Sequence, residues 1–439
     1  MKFDDLHLNP ALKHAIAELG FSEPTPIQRA AVPPAMEGRD VIACAMTGSG
    51  KTAAFALPIL DRLLKGGPRK GIRALIVTPT RELAMQVQEH IAALGRHTRI
   101  GAASVFGGVK PGPQARALRA GVDIVVATPG RLLDHMRQPW LNFDQLEVLV
   151  LDEADRMLDM GFLPDVRRIL GRLPKQRQTM LFSATIPPAI VALSRDLLAD
   201  PARLDIERPS APAAGIRHAI LPVQEKLKPR LLLTMLRSDE IRTALVFTRT
   251  KHRANRLAKY LDDAGIPCDR IHGNRSQPQR QAALKAFKHG RLRVLVATDI
   301  AARGIDIDAL PYVINFDVPG QADDYIHRVG RTARASATGD ALTFASPAEA
   351  KQVAMIERAL GRHIGRRTVD GFDYHASPKG RLEIPVAERI AAIRSQRAEE
   401  RARARAKQEP RAGRKDAATV APSRPSRRRR RPRRSPASR

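Results

Sequence analysis

Short runs of branched apolar residues, each broken off by polar ones, recur along this chain. In the first half they are ALIVTPT from Ala74, DIVVATPG from Asp123, VLVLDEAD from Val148 and TMLFSAT from Thr179. In the second half they are ALVFTRT from Ala244, RVLVATD from Arg293 and YVINFD from Tyr312. Helical spacing fills the intervals. Continuous rather than alternating apolar runs predict strands covered on both faces, hence parallel sheets with crossover helices. Ligands of such open sheets bind beyond the carboxyl ends of the strands, so the polar ends of the runs are the expected place of chemistry.

The pattern breaks twice. At Glu207 to Gly215, ERPSAPAAG replaces the periodic texture with Pro, Ser, Ala and Gly, which predicts a linker. From His375 onward 21 Lys/Arg face 6 Asp/Glu, a net +15 that is half of the chain's formal +30. In that tail Val386, Ile390 and Ile393 keep helical spacing, and Glu399 precedes Arg403 by four residues. Beyond Glu409 the composition of Arg, Pro, Ser and Ala has nothing to bury and predicts disorder. The expected organisation is a first domain over 1–206, a linker over 207–216, a second domain over 217–372 and a basic tail over 373–439, partly helical and then disordered.

Composition sharpens this picture. The 439 residues are 43% apolar, enough to fill real cores. The excess of positive charge points to a polyanionic partner, nucleic acid ahead of acidic membrane. Two cysteines, Cys44 and Cys268, exclude a disulfide framework, fit a reducing cytoplasm and are expected in the core. The start, MKFDDLHLNP, has no signal pattern, and no apolar stretch is long enough to span a membrane. A cytoplasmic protein without membrane contact is expected.

The strongest local signal is AMTGSGKT, Ala45 to Thr52, between the apolar DVIACA and the helix-like AAFALPILDRLL. A strand, a glycine-rich turn and Lys-Thr at a helix start make a phosphate cradle: backbone N–H groups of Thr47, Gly48, Ser49 and Gly50 face phosphates, Lys51 reaches the terminal ones, and Thr52 holds Mg2+. Ala45 replaces the usual leading glycine. If VLVL is a central strand beside this loop, Asp152 emerges where an acid holds Mg2+, and Glu153 can orient or deprotonate the attacking water. Three carboxylates within four residues repel one another, and a divalent cation would make that crowding tolerable.

These residues carry a resemblance. Asp152-Glu153-Ala154-Asp155 spells the signature of the DEAD-box RNA helicases, and an ordered set of similar motifs spans nearly all of residues 1 to 370. GFSEPTPIQ, with Phe21 and Gln28, resembles the adenine-recognising Q motif, Phe3 lying upstream. Pro79-Thr80-Arg81 in PTRELA, Gly107-Gly108, and Thr128-Pro129-Gly130-Arg131 resemble the first domain's RNA contacts. Ser183 and Thr185 resemble the motif that couples hydrolysis to strand separation. In the second half Thr248, Gln277 with Arg280, Thr298 and Gly304 resemble RNA contacts, Asp299 a ribose contact, and HRVGRTAR the motif whose Arg331 and Arg334 act as arginine fingers beside the coupling residue His327.

The resemblance implies two tandem RecA-like α/β domains of parallel sheet, with ATP and Mg2+ as cofactors and RNA as partner. Catalysis falls to Lys51, Asp152, Glu153, Arg331 and Arg334. The implied function is ATP-dependent local separation of short RNA duplexes, driven by closure of the two domains; an ATP-controlled clamp or annealing chaperone is the alternative. Aromatics make up only 4% of the chain, so recognition is expected through phosphate and sugar with little sequence specificity. HGNRSQ, with Asn274, and the basic tail resemble the bacterial RhlE-type branch. Ribosomal precursor particles and RNA-decay proteins are the family's partners. Two positions depart from its pattern: Met46 replaces a common glutamine, and Ala333 a common glycine.

Overall fold

The structure is a computed structural model and describes residues 2–46, 48–67, 70–206, 215–238, 241–302, 307, 310–332 and 338–376. Thr47, Gly304, Ala333, Arg334, most of the expected linker and the basic tail from Ser377 with its expected helix lie outside the described residues. The chain divides into two units, residues 1–380 and 381–439, and every described element belongs to the first.

Seven strands build the first sheet: β1 Val41–Cys44, β2 Ala74–Val77, β3 Ala102–Val105, β4 Ile124–Ala127, β5 Val148–Asp152, β6 Gln178–Ser183 and β7 Ala202–Asp205. Their order is β3-β4-β2-β5-β6-β1-β7. The second sheet holds β8 Ile216–Pro222, β9 Ala244–Phe247, β10 Cys268–Ile271, β11 Val294–Ala297, β12 Tyr312–Asn315 and β13 Gly339–Ala345, in the order β10-β11-β9-β12-β13-β8. All the pairings among these strands are parallel. Without β7, the two sheets share one winding order.

Burial explains which strands the sequence announces. β2, β4, β5 and β6 are buried along their whole length, as are β9 and β11. Helices cover both faces there, so nothing selects for alternation. Leu12, Ile27 and Phe55 fill one side of the first sheet, Leu75, Leu132 and Leu149 the other, and each such side chain contributes about 1.5–3 kcal/mol by leaving water. The edge strands β3, β7 and β10 are half exposed and have no counterpart among the apolar runs. The cysteines, expected in the core, are half-buried thiols on strands.

The same turn follows a central strand in each sheet. After β2, the Thr78 hydroxyl donates to the Thr80 carbonyl at 3.4 Å, and Thr80 Oγ1 accepts from the Leu83 amide, capping the helix Arg81–Leu94. After β9, the Thr248 hydroxyl donates to the Thr250 carbonyl at 3.5 Å, and Thr250 caps Lys251–Asp263 through the Arg253 amide. Each side-chain cap satisfies an amide that has no partner within its helix, worth about 1 kcal/mol. A second parallel is less symmetric. Lys51 begins the helix after β1 and Lys228 the helix after β8. Lys228 is fully buried, with Nζ 2.6 Å from Glu349, 3.0 Å from Glu225 and 3.9 Å from Asp317.

Candidate active site and nucleic-acid interface

The carboxyl ends of the first sheet gather the nucleotide motifs. The chain leaves β1 and turns through Gly48 and Gly50, at φ 78° and 95°, into the helix Lys51–Lys65. A Cβ on Gly50 would lie 2.5 Å from Gln28 Nε2 and 2.8 Å from Thr25 Oγ1. The approach is made by hydrogen bonds: Gln28 Nε2 donates to the Gly50 carbonyl at 3.1 Å, while its Oε1 accepts from the Thr25 amide. The Q motif therefore grips the glycine turn directly. Phe21 packs between Phe3 and His90, with ring centroids 6.4 and 6.1 Å away. Lys51 is buried and donates to the Ala45 carbonyl at 3.0 Å, and Thr52 follows it half-buried.

β5, a central strand separated from β1 by β6, delivers the acids, and Asp152 at its end lies within reach of the charge of Lys51. Asp152, the last residue of β5, is 3% exposed, and its Oδ1 has no hydrogen-bond partner. Burial pushes this carboxyl up to about 7, against the pull of Lys51. Glu153 is next, in the left-handed region at φ 53°, and pairs with the Arg156 guanidinium at 3.2 Å. Asp155 turns away: its Oδ2 accepts from the Thr185 amide at 2.8 Å and hydroxyl at 3.0 Å, and its own amide donates to Ser183 Oγ at 3.1 Å. Glu153 and Asp155 thus face different partners, while Asp152 keeps an oxygen without one.

The expected RNA motifs of the first domain also cluster. Gly108, at φ 80°, packs so closely on the Arg81 guanidinium that a Cβ there would overlap it. Arg131 donates to the Val109 carbonyl at 3.1 Å and to Gln114 Oε1 at 3.4 Å, tying the helix Pro129–Met136 to the Gly107–Gly108 turn. Pro79 and Thr80 are buried, Thr128 stands at the N-cap position of that helix without a side-chain cap, and Gly130 is exposed.

In the second sheet Thr248 and Thr298 are buried at the ends of β9 and β11. Gln277 Nε2 donates to Glu82 Oε1 at 2.9 Å and Arg280 lies 3.1 Å from Glu82 Oε2. They join the helix Gln277–Lys288 to the PTRELA motif of the first sheet. Asp299 is held by Arg328 through bonds of 2.6 and 2.8 Å, and Arg328 also donates to Asn315 and to the Asp317 carbonyl. Asp299, His327, Arg328 and Arg331 line one cavity together with Arg156 of the first domain. Sequence reasoning assigned no role to Asp155, Arg156, Glu82 or Arg328. Arg328 had a signal, since it lies inside HRVGRTAR; the partners of the other three are set only by folding.

Comparison with known proteins agrees with this geometry. Residues 25–193 match the DEAD/DEAH box helicase family and residues 227–336 the helicase conserved C-terminal domain. The DEAD-box ATP-dependent RNA helicase CshA of Bacillus cereus is 39% identical over 388 residues, covering 88% of this chain and 73% of the relative. The ATP-dependent RNA helicase DbpA of Bacillus subtilis is 42% identical over 362 residues, covering 82% and 75%. Among solved structures, S. cerevisiae Dbp5 bound to RNA and ADP BeF3 superposes with a TM-score of 0.77 at 31% identity, covering 84% of this chain and 96% of that one. The DEAD-box helicase Mss116 bound to ssRNA and UDP-BeF gives 0.76 at 28% identity, covering 84% and 80%. With two RecA-like parallel sheets, a phosphate-binding turn and the acids of β5 at their strand ends, this chain belongs to the DEAD-box family of ATP-hydrolysing RNA helicases.

Proposed function

We propose that the protein opens short RNA duplexes locally, using ATP to close its two sheet domains over a single strand. The observation that carries this reading is the shared cavity. Arg156, paired to Glu153, faces Asp299, His327, Arg328 and Arg331 from the other sheet. A guanidinium supplied across a closing cleft contributes about 10³ to 10⁵ in phosphoryl-transfer rate, or about 4–7 kcal/mol, so hydrolysis depends on closure. RNA that contacts both domains favours the same closed state, and RNA and ATP stimulate each other through it.

In this reading Lys51 and the backbone from Thr47 to Gly50 bind the phosphates, while Phe21 and Gln28 read the adenine. Glu153 takes the proton of the attacking water, Arg331 and Arg334 stabilise the charge that develops, and Asp299 meets the ribose. The unpartnered Oδ1 of buried Asp152 fits Mg2+, with Thr52 as the second ligand. When bound, the ion neutralises phosphate charge. Ser183, Thr185 and His327 couple this chemistry to the RNA surface. Pro79, Thr80, Arg81, Gly107, Gly108, Thr128 to Arg131, Thr248, Thr298 and Gly304 hold the strand by phosphate and sugar, and Gln277 and Arg280 act by joining the two domains. The domains meet through the linker at 207–216, and the tail is an additional RNA anchor.

The Asn274 motif and the basic tail support a reading of the chain as RhlE-type, while its relatives CshA and DbpA carry other names. Ribosomal precursor particles or RNA-decay assemblies in the cytoplasm are the proposed setting.

Steady-state ATP hydrolysis with and without single-stranded RNA, for the wild type and Glu153→Gln, tests the reading. RNA stimulation that vanishes in Glu153→Gln is the expected outcome. Equal hydrolysis without RNA would overturn the coupling. Strand displacement on a short duplex then separates opening from clamping: ATP-dependent RNA retention without displacement would favour the clamp.

A further inference from the structure

Far from the nucleotide motifs, two histidines and a glutamate converge on the first domain. His14 and Glu18 lie four residues apart, hence on one face of the helix Pro10–Glu18. His97 comes from the turn that follows the helix Arg81–Leu94. His14 Nε2 is 3.4 Å from Glu18 Oε1 and His97 Nε2 is 3.0 Å from Glu18 Oε2. One ligand atom from each of the three residues can be chosen so that all lie within 4.8 Å of one another.

We propose that His14, Glu18 and His97 form a surface site for a divalent transition metal ion of the zinc class, which clamps the N-terminal helix to the turn after Arg81–Leu94. Two imidazoles and one carboxylate are the donor set that Zn2+ accepts in open sites, with water completing the shell. Around an ion at about 2.0–2.2 Å from each ligand, tetrahedral geometry separates the ligand atoms by about 3.3–3.5 Å. The observed contacts of 3.4 and 3.0 Å reach different carboxylate oxygens, so an ion would draw together ligand atoms that now lie within 4.8 Å of one another.

The imidazoles supply a second, independent indication. Their rings stack at 4.4 Å between centroids and only 8° from parallel. The stacking sets the two rings side by side, so that both imidazoles reach the Glu18 carboxylate together. Glu18 supplies the carboxylate, and the oxygen that faces His97 also faces Arg96. Arg96 also defines the competition, because its guanidinium donates to Glu18 Oε2 at 2.8 Å. An incoming ion must share that oxygen with Arg96 and accept a neighbouring positive charge, which limits affinity. The position matters because Phe21 of the Q motif lies three residues beyond Glu18.

Titration of the metal-free full-length protein with Zn2+ by calorimetry, and with Co2+ by visible absorption, tests the site. One equivalent of Zn2+ should bind, and Co2+ should give an absorption typical of low coordination number. His14→Ala, His97→Ala and Glu18→Gln should each weaken binding at least about tenfold. Arg96→Ala should tighten it, an outcome opposite to that of a merely structural ion pair. Zn2+ should also raise the thermal midpoint of the wild type but not of the His14→Ala/His97→Ala double variant. Because the three groups are at the surface, the metal-free variants should keep their fold, and their midpoints without metal check this. Unchanged stoichiometry and affinity in the double variant would overturn the proposal, as would weaker binding in Arg96→Ala.

Discussion

At the scale of single residues, function is written mostly as backbone conformation and close approach. Gly50 sits at φ 95° under the amide of Gln28, where any Cβ would have to displace Gln28 or Thr25. Gly50→Ala is therefore expected to cost about 1 kcal/mol or more in stability and to raise the KM for ATP, measurable by denaturant unfolding and by ATP titration of the hydrolysis rate. Glu153 pays a related conformational cost in the left-handed region without being glycine, in keeping with the proposed role of its carboxylate. Glycines and acids of this kind are legible in the sequence because the chemistry demands them at fixed spacing. Asp155 was legible only as a letter of the motif. Its role as the anchor of Thr185 depends on a contact across 30 residues, which no local spacing encodes.

At the scale of elements, the buried strands announce themselves and the edges do not. A strand covered on both faces must be apolar throughout, as in β2 and β5, whereas β3, β7 and β10 answer to solvent and borrow their conformation from a neighbour. The contact of Glu82 with Gln277 and Arg280 was equally illegible, since it joins helices nearly 200 residues apart. Removing the carboxylate in Glu82→Ala leaves the buried Arg280 without its counter-charge in the closed arrangement, a cost of about 3–5 kcal/mol. RNA-stimulated hydrolysis should then fall at least about tenfold; an unchanged rate would show that this contact does not support closure.

Another element, the end of the helix Ala350–Leu360, carries a pH signature. Glu357 accepts from the Ile364 amide at 2.8 Å and pairs with Arg366, fastening the following turn to β8 through the Ile220 amide and the Gly365 carbonyl. Hydrogen bonds from Arg366 bring its carboxyl down from 4.5 to about 2. A depressed acid stabilises the fold fully above its unfolded value and loses that contribution as pH falls through the folded one. The stability gap between wild type and Glu357→Gln should thus be constant above about pH 4.5 and shrink towards pH 2, as followed by chemical denaturation.

At the scale of the whole molecule, charge is partitioned from chemistry. Half of the net positive charge lies in the 65 residues after Tyr374, beyond both sheets. A chain truncated after Tyr374 should retain RNA-stimulated hydrolysis but bind RNA with a shallower salt dependence, each lost phosphate contact removing about 0.7 from the slope on single strands. Affinity measured against salt for the two chains checks this; equal slopes would mean that the tail does not engage RNA. The partition was visible in composition alone.

The shared winding of the two sheets gives Lys228 its meaning. It stands after β8 where Lys51 stands after β1, but its ammonium is already enclosed by Glu349, Glu225 and Asp317. A phosphate arriving there would have to displace carboxylates and then face their charge. The helix start proposed as a phosphate socket in one sheet is plugged from within in its twin. Under the proposed mechanism nucleotide therefore enters one half only, and the other half contributes side chains to the shared cavity instead of a second phosphate site.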